Sequence, residues 1–555
     1  MSNIYDLIIK NGNCFINNNL AQTDIGIKDN RIIKIGLINE SADKVLDAKG
    51  LTIIPGAIDT QVHFREPGNP DKEDLESGSK AAILGGITSV FEMPNTNPAT
   101  DNFERFQDKL DRAKNRMYCN YAFYFGATEN NFEFIKQTTN LIGCCGIKMF
   151  IGSSTGTLLV KKDEAIEEVI RISPRVVSIH SEDDDLLQKK KVLIEKGNVK
   201  THPVWRDSEV ALTSTTKVVG FANKHSKRIH ILHVSSKEEA DFLAKNKKYV
   251  TVETTPQFLT LFAPDCYEEL GTLAQMNPPI RTKDHQDVLW KRLLDGTIDV
   301  LGSDHAPHTL KEKQKPYPES PSGLTGVQTM LPIMLDHVNN KKLTFQRLVE
   351  LLSINPCKIF NIKKRGEIKE GYYADLTVID MNLNYKITND WIASRCGWTP
   401  FNNKTVKGFP VGTIVNGKVA SWDQKTDERD SQAQVSGTSC AGEPVIEYCP
   451  ARIAREGSTD FYVYDPCRER FAGFDGVGGH GNGNHNGSPE LDAFELIRLC
   501  DHRRCWADGH GLLGQVCRVG AFSLLLGCGG EAVVDQRRGQ PFFFIGVDRC
   551  VHRWR

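Results

Sequence analysis

Between residues 55 and 365 short apolar runs alternate with stretches of helical periodicity, and this alternation restricts the possible folds more than any other feature. The runs at 86–91, 146–150, 176–180, 229–234, 249–253 and 298–303 are too short for helices and are separated by helix-sized segments. Parallel strands need such crossovers, and strand–helix alternation over some 300 residues predicts an α/β chain closed as a (β/α)8 TIM barrel, a fold of roughly 250 residues plus insertions. The two flanks read differently. Residues 1–54 carry Ile25 and Ile27, a turn at Asp29-Asn30, then Ile33 and Ile35, which is strand alternation around a hairpin. Residues 366–424 repeat the style, with Ala374-Asp375-Leu376-Thr377-Val378-Ile379 and a type I′ turn signal at Asn416-Gly417. Together the flanks are predicted to form a small β-sandwich built from both ends of residues 1–424.

Beyond residue 424 the chain changes character. No lysine occurs after Lys425, although arginine continues, and a glycine-rich stretch (Gly476, Gly478, Gly479, Gly481, Gly483, Gly487) interrupts any periodicity. Residues 425–555 therefore read as a disordered segment of foreign composition, fused, frameshifted or read through, with an accessory domain as the alternative. Eight of the 15 cysteines fall there. Cys500, His502 and Cys505 offer close metal ligands, but paired Cys-x2-Cys sets are lacking, which argues against a zinc module. The other seven (Cys14, Cys119, Cys144, Cys145, Cys266, Cys357, Cys396) show no regular spacing and read as reduced core residues. A net charge of −1 excludes a general affinity for nucleic acid or an anionic membrane surface. No secretory signal opens the chain, and no run reaches the roughly 20 apolar residues that span a bilayer, so a cytoplasmic location is expected.

Catalytic groups of a TIM barrel sit where strands end on the C-terminal rim. Polar residues fall at those places one after another. Gln61, His63 and Arg65 are spaced i, i+2, i+4, so in a strand they share a face. Lys148 follows Gly146-Ile147, His180 closes 176–179, His233 closes 229–232, and Asp304 closes 298–303. One histidine at a strand end is usually a satisfied polar residue; three His, one Asp and one Lys ending five strands in order are not so easily dismissed. His230 and His305 should face away from the rim site and read as structural. Imidazole and carboxylate suit Zn²⁺, whose bound water has a pKa near 7 and which can also polarise an amide carbonyl.

Several motifs resemble dihydroorotase of the longer bacterial class, within the amidohydrolase superfamily. They are Asp59 to Arg65 followed by Glu66-Pro67-Gly68, Met93-Pro94-Asn95-Thr96, Asn277-Pro278-Pro279-Ile280-Arg281, Gly302-Ser303-Asp304-His305-Ala306-Pro307-His308, and Gly397-Trp398-Thr399-Pro400-Phe401. The resemblance covers about residues 1–424, and Gly442-Glu443-Pro444-Val445 looks like a remnant of the family's natural end. It implies one or two zinc ions, with His63 and Asp304 on the more buried metal and His180 and His233 on the more exposed one. Lys148 matches a carboxylated lysine whose carbamate bridges metals roughly 3.5–4 Å apart. Asp304 would also be the general base, passing a proton from the attacking water to the leaving amide nitrogen. Arg65, Asn95 and His308 would grip a substrate carboxylate, with Asn277 near the pyrimidine ring.

The implied reaction is reversible hydrolysis of dihydroorotate to N-carbamoyl-aspartate in pyrimidine biosynthesis. The partner would be a small carboxylate-bearing substrate, and the chain a homo-oligomer, with association with aspartate transcarbamoylase as an option. One position departs from the family. Gln61 stands where the first histidine of His-x-His belongs, and an amide oxygen is a weaker metal ligand. This should weaken the buried metal site. It also keeps open a non-catalytic partner of aspartate transcarbamoylase, beside the other cyclic amidases: dihydropyrimidinase, hydantoinase and allantoinase.

Overall fold

The computed structural model describes residues 4–152 and 158–426, and beyond them only the backbone of seven short strands between residues 452 and 546. Five strands open the chain: β1 (Tyr5–Ile16), β2 (Asn19–Lys28), β3 (Arg31–Ile35), β4 (Ala42–Asp47) and β5 (Thr52–Pro55). Eight parallel strands follow, β6 (Ala57–Val62), β7 (Ile87–Glu92), β8 (Asn120–Gly126), β9 (Cys144–Ile151), β10 (Val177–Ser181), β11 (Ile229–Ile231), β12 (Val250–Thr254) and β13 (Val300–Leu301), each paired with the next in chain order. The last group is β14 (Leu376–Lys386), β15 (Thr405–Val415), β16 (Lys418–Trp422) and β17 (Lys425–Thr426).

Strands β6 to β13 form a nearly closed barrel. Its seam is joined by polar groups where the short β13 runs out of ladder. Buried Asp59 accepts from the backbone N–H groups of Ser303 (2.9 Å) and Gln61 (3.1 Å), and the His63 N–H donates to the His305 carbonyl (2.7 Å). Burial pushes the Asp59 carboxyl up to about 7, against these N–H donors. On the outer face of β8 Tyr121, Phe123 and Phe125 join the core shared with the helices, whereas Ala122 and Tyr124 point inward to a smaller core with Ile58, Phe91, Val300 and Phe360. That alternation is why the run Asn120–Gly126 is buried on both sides.

The first and last strands share one nine-stranded sheet in the order β17-β16-β15-β14-β5-β1-β2-β3, with β4 paired to β1. Both expected turns are present. Asp29 and Asn30 have φ of 47° and 68°, Asn416 and Gly417 have φ of 48° and 76°, and each pair joins two antiparallel strands, as a type I′ turn requires. The sheet is bolted to the barrel through strand beginnings: Ala57 N–H donates to Thr377 Oγ1, and Asn120, at the start of β8, bonds both Asp375 and Asn416. It thus occupies the N-terminal end of the barrel and leaves the C-terminal rim clear.

The chain divides into two compact units, Met1–Glu447 and Tyr448–Arg555. In the second, Arg452–Ala454, Phe461–Asp465 and Arg470–Phe474 pair as one antiparallel sheet, and Cys505–Ala507, Leu513–Val519, Phe522–Gly527 and Phe542–Gly546 as another. Apart from the backbone of these strands, which includes Cys505 and Cys517, the segment expected to be a disordered, read-through tail lies outside the described residues, the glycine-rich stretch included. Among the described residues no helix is long and apolar enough to cross a membrane.

Candidate active site

The rim gathers its polar side chains in two pairs, and Lys148 acts electrostatically on both. In the first, Asp304 Oδ1 lies 3.3 Å from His63 Nε2 and accepts from Gln61 Nε2 at 2.9 Å. In the second, His180 Nδ1 and His233 Nε2 are 2.9 Å apart. Lys148 lies within β9; its Nζ is buried, has no hydrogen-bond partner, and sits 4.4 Å from the centre of the Phe150 ring. The positive charge of Lys148 acts on His63, His180, His233 and Asp304 alike.

The donors stand beyond the strands more than inside them. β6 ends at Val62, so of the three only Gln61 lies in the strand; His63 follows directly past its end, and Arg65 sits in a turn at φ 62°. His233 (φ 39°) and Asp304 (φ 45°) likewise sit past β11 and β13. Three non-glycine residues at positive φ in one site are a local cost that the surrounding bonds must hold. His230 and His305 are structural, as expected. His230 bonds Thr251 Oγ1 at 2.8 Å and packs edge-on to Phe360 on the barrel floor; His305 faces Glu73 (3.2 Å) and accepts from the Gly326 N–H (3.0 Å).

Burial sets the protonation states. It holds the His63, His180 and His233 imidazoles below their ordinary range, aided by Lys148, so all three stay neutral and keep a lone pair for a metal. It pulls the Lys148 amine down, against the attraction of Asp304 and Glu253, and pushes the Asp304 carboxyl up, against Lys148, His180 and Arg65.

Beside the first pair, Asn95 Oδ1 takes the Nδ1 side of His63 at 2.7 Å. Arg65 Nε donates to the Pro307 carbonyl (3.1 Å), and its Nη2 lies 3.3 Å from His308 Nε2. The other ring nitrogen of His308 faces Lys72 Nζ at 3.2 Å. Burial, Arg65 and Lys72 hold His308 far below the usual histidine range, so a neutral ring with one lone pair meets two cations. Lys72 itself pairs with Glu312 Oε1 at 2.9 Å, whereas among the described residues no carboxylate forms an ion pair with the buried Arg65 guanidinium. Lys72 was not legible in the sequence, because nothing local to it announces a partner at residue 308. Two further residues were missed. Fully buried Glu182 takes His180 Nε2 at 2.8 Å, and Arg206 Nε donates to Glu182 Oε1 at 3.1 Å while its Nη2 pairs with Oε2. Burial alone would raise the Glu182 carboxyl; Arg206 and His180 outweigh it and bring it down to about 2. The i, i+2 spacing of His180 and Glu182 at a strand end was an available signal. Asn277 Oδ1 lies 3.0 Å from His202 Nε2.

Residues 52–420 match the model of the Amidohydrolase family. A dihydroorotase of Methanosphaera stadtmanae is 32% identical over 437 residues, 75% of this chain and 99% of the relative. This chain belongs to the dihydroorotase family. A second dihydroorotase, from Pyrococcus furiosus, is 34% identical over 414 residues, covering 74% of this chain and 92% of the relative. Among solved structures, an L-hydantoinase (dihydropyrimidinase) from Arthrobacter aurescens superposes with a TM-score of 0.73 at 26% identity, over 76% of this chain and 97% of that one. The dihydroorotase-family chain therefore shares its barrel and added sheet with hydantoinases as well.

Family membership implies a metal, and the side chains can be tested against it. No three His, Cys, Asp or Glu among the described residues form a cluster fit to hold an ion. Each pair has two such donors, and a third is missing from both. A carbamate on Lys148 would supply an oxygen to each pair, and its amine is already buried, unpartnered and held toward the neutral form that reacts with CO2. His233 Nδ1 and Gln61 Oε1 are buried without hydrogen-bond partners as well. The residues fit a metal centre completed by Lys148.

Proposed function

We propose that this chain is a zinc-dependent dihydroorotase that opens the cyclic amide of dihydroorotate to N-carbamoyl-aspartate and closes it again. The observation that carries the substrate assignment is the buried Arg65 guanidinium beside neutral His308, which no carboxylate pairs among the described residues. A substrate carboxylate would pair with Arg65, whose planar guanidinium can address both its oxygens. Asn95, already on His63, would turn the rest of its amide to the same carboxylate, and Asn277 would meet the pyrimidine ring. Zn²⁺, when bound, polarises the scissile carbonyl and lowers the pKa of water to about 7. His63 and Asp304 would hold one ion, His180 and His233 the other, with carboxylated Lys148 common to both. Asp304, its carboxyl raised toward neutrality by burial, would take the proton of the attacking water and deliver it to the departing amide nitrogen.

The test is turnover by metal-analysed protein, with dihydroorotate, dihydrouracil and hydantoin side by side. Dihydroorotate is expected to be the preferred substrate, since a site built for a carboxylate leaves the buried Arg65 guanidinium unpaired with an analogue that lacks one. Turnover of hydantoin or dihydrouracil without dihydroorotate would overturn the assignment, and a metal-free, inert protein would favour the non-catalytic partner.

Gln61 makes the two metal positions unequal. Its Nε2 spends a hydrogen bond on Asp304 Oδ1, the oxygen nearest His63. An ion there has His63, Asp304 and the carbamate, with only the amide oxygen as a further protein donor. We expect one zinc held firmly at His180, His233 and Lys148, and a second held weakly. Gln61→His should raise occupancy of the second position, read as zinc equivalents retained after dialysis. Two equivalents retained equally by both proteins would show that glutamine costs the site nothing.

A further inference from the structure

Glu182 and Arg206 form an ion pair from which water is excluded, with relative exposures of 0% and 3%. Such a pair is a poor source of stability, because stripping two charges of water costs about as much as their attraction returns. Its geometry suggests another use. A carboxylate can only accept, so the contact between Glu182 and His180 puts the single proton of a neutral imidazole on Nε2. The lone pair is then on Nδ1, the nitrogen that meets His233. Arg206 holds Glu182 by both oxygens and is itself held. Asp207, the next residue, caps helix Ser208–His225 through the Val210 N–H, and the Arg206 carbonyl accepts from Arg281 Nη1 at 2.9 Å. Arg281 Nε donates in turn to Ser235 Oγ (3.0 Å), two residues past His233. One buried brace thus touches the chain segments that carry both histidines.

We infer that Glu182, clamped by Arg206, is a positioning residue that fixes the tautomer and ring orientation of His180 for metal binding. The inference rests on the proposal that His180 and His233 are zinc ligands. Partners behind a ligating histidine typically change metal affinity by about 10–100-fold when removed.

The experiment is a competition between the full chain and a chromophoric chelator for zinc, with melting of the metal-free proteins followed by circular dichroism. Glu182→Gln is one variant; the paired Glu182→Gln, Arg206→Gln is the second, because it leaves no lone buried charge. Both are expected to bind zinc about 10–100-fold more weakly than wild type, with the metal-free melt of the paired variant close to that of wild type. Zinc affinity within twofold of wild type in either folded variant would overturn the positioning role. Loss of the metal-free fold in the paired variant would overturn it too, by assigning the pair to stability. Failure of the underlying reading looks different: there the wild type itself would bind no zinc.

Discussion

Asp304→Asn is expected to lower dihydroorotate turnover by about 10³-fold, the middle of the range for loss of a general acid–base, while the protein stays folded. The amide of asparagine keeps the size of the side chain and an oxygen for Gln61 Nε2, which now donates to Asp304 Oδ1 at 2.9 Å. It cannot take up a proton near neutrality, and it is a weaker ligand than a carboxylate. Because burial already raises the Asp304 carboxyl, a neutral replacement removes an uncomfortable charge and should leave thermal stability nearly unchanged. The measurements are kcat at saturating zinc and a melt of the same preparation. Residual turnover within tenfold of wild type would rule out the proton-carrying role. Collapse of the melt would show that the carboxylate instead holds the barrel seam together.

Lys148→Met is expected to move activity and stability in opposite directions. The Lys148 amine is buried, has no hydrogen-bond partner, and lies against the Phe150 ring. A group in that position costs about 1–3 kcal/mol relative to an apolar one of similar shape, so the metal-free methionine variant should be more stable by an amount of that order. The same change removes the third donor of both metal pairs, and turnover should fall to background with no zinc retained. On the proposed centre such a residue would be kept for chemistry at the expense of stability. Denaturant melts of the metal-free proteins, zinc analysis and turnover decide it. A variant that still holds zinc and turns over dihydroorotate would remove Lys148 from the centre. A less stable metal-free variant would mean that the amine has a structural partner.

Much of the site was legible because it is local. His180 ends an apolar run, and in a parallel barrel every strand that runs forward ends on the same rim, so its place followed from its neighbours in sequence. The turns at Asp29-Asn30 and Asn416-Gly417 were legible for a similar reason, since few residue pairs accept two successive positive φ angles. Arg65 was placed on the right rim by the wrong argument. Strand alternation stops at Val62, and a turn at positive φ aims the guanidinium at His308. Arg206 and Lys72 carried no signal. Their meaning lies in partners 24 and 236 residues away, and a lysine or arginine in a polar stretch is ordinarily solvated.

The order of donors along the chain, the barrel that carries them and the sheet made from its two ends were determined by the sequence, because periodicity, turn chemistry and residue type act over a few neighbours. Tertiary structure alone decided which donors meet. Closing the barrel brings Gln61 to Asp304 across 243 residues, leaves the Lys148 amine buried without a hydrogen-bond partner, and seals Glu182 with Arg206 away from water. Protonation follows from that burial: the same imidazoles and carboxylates, left in solvent, would titrate at their ordinary values and have no reason to take up a metal together.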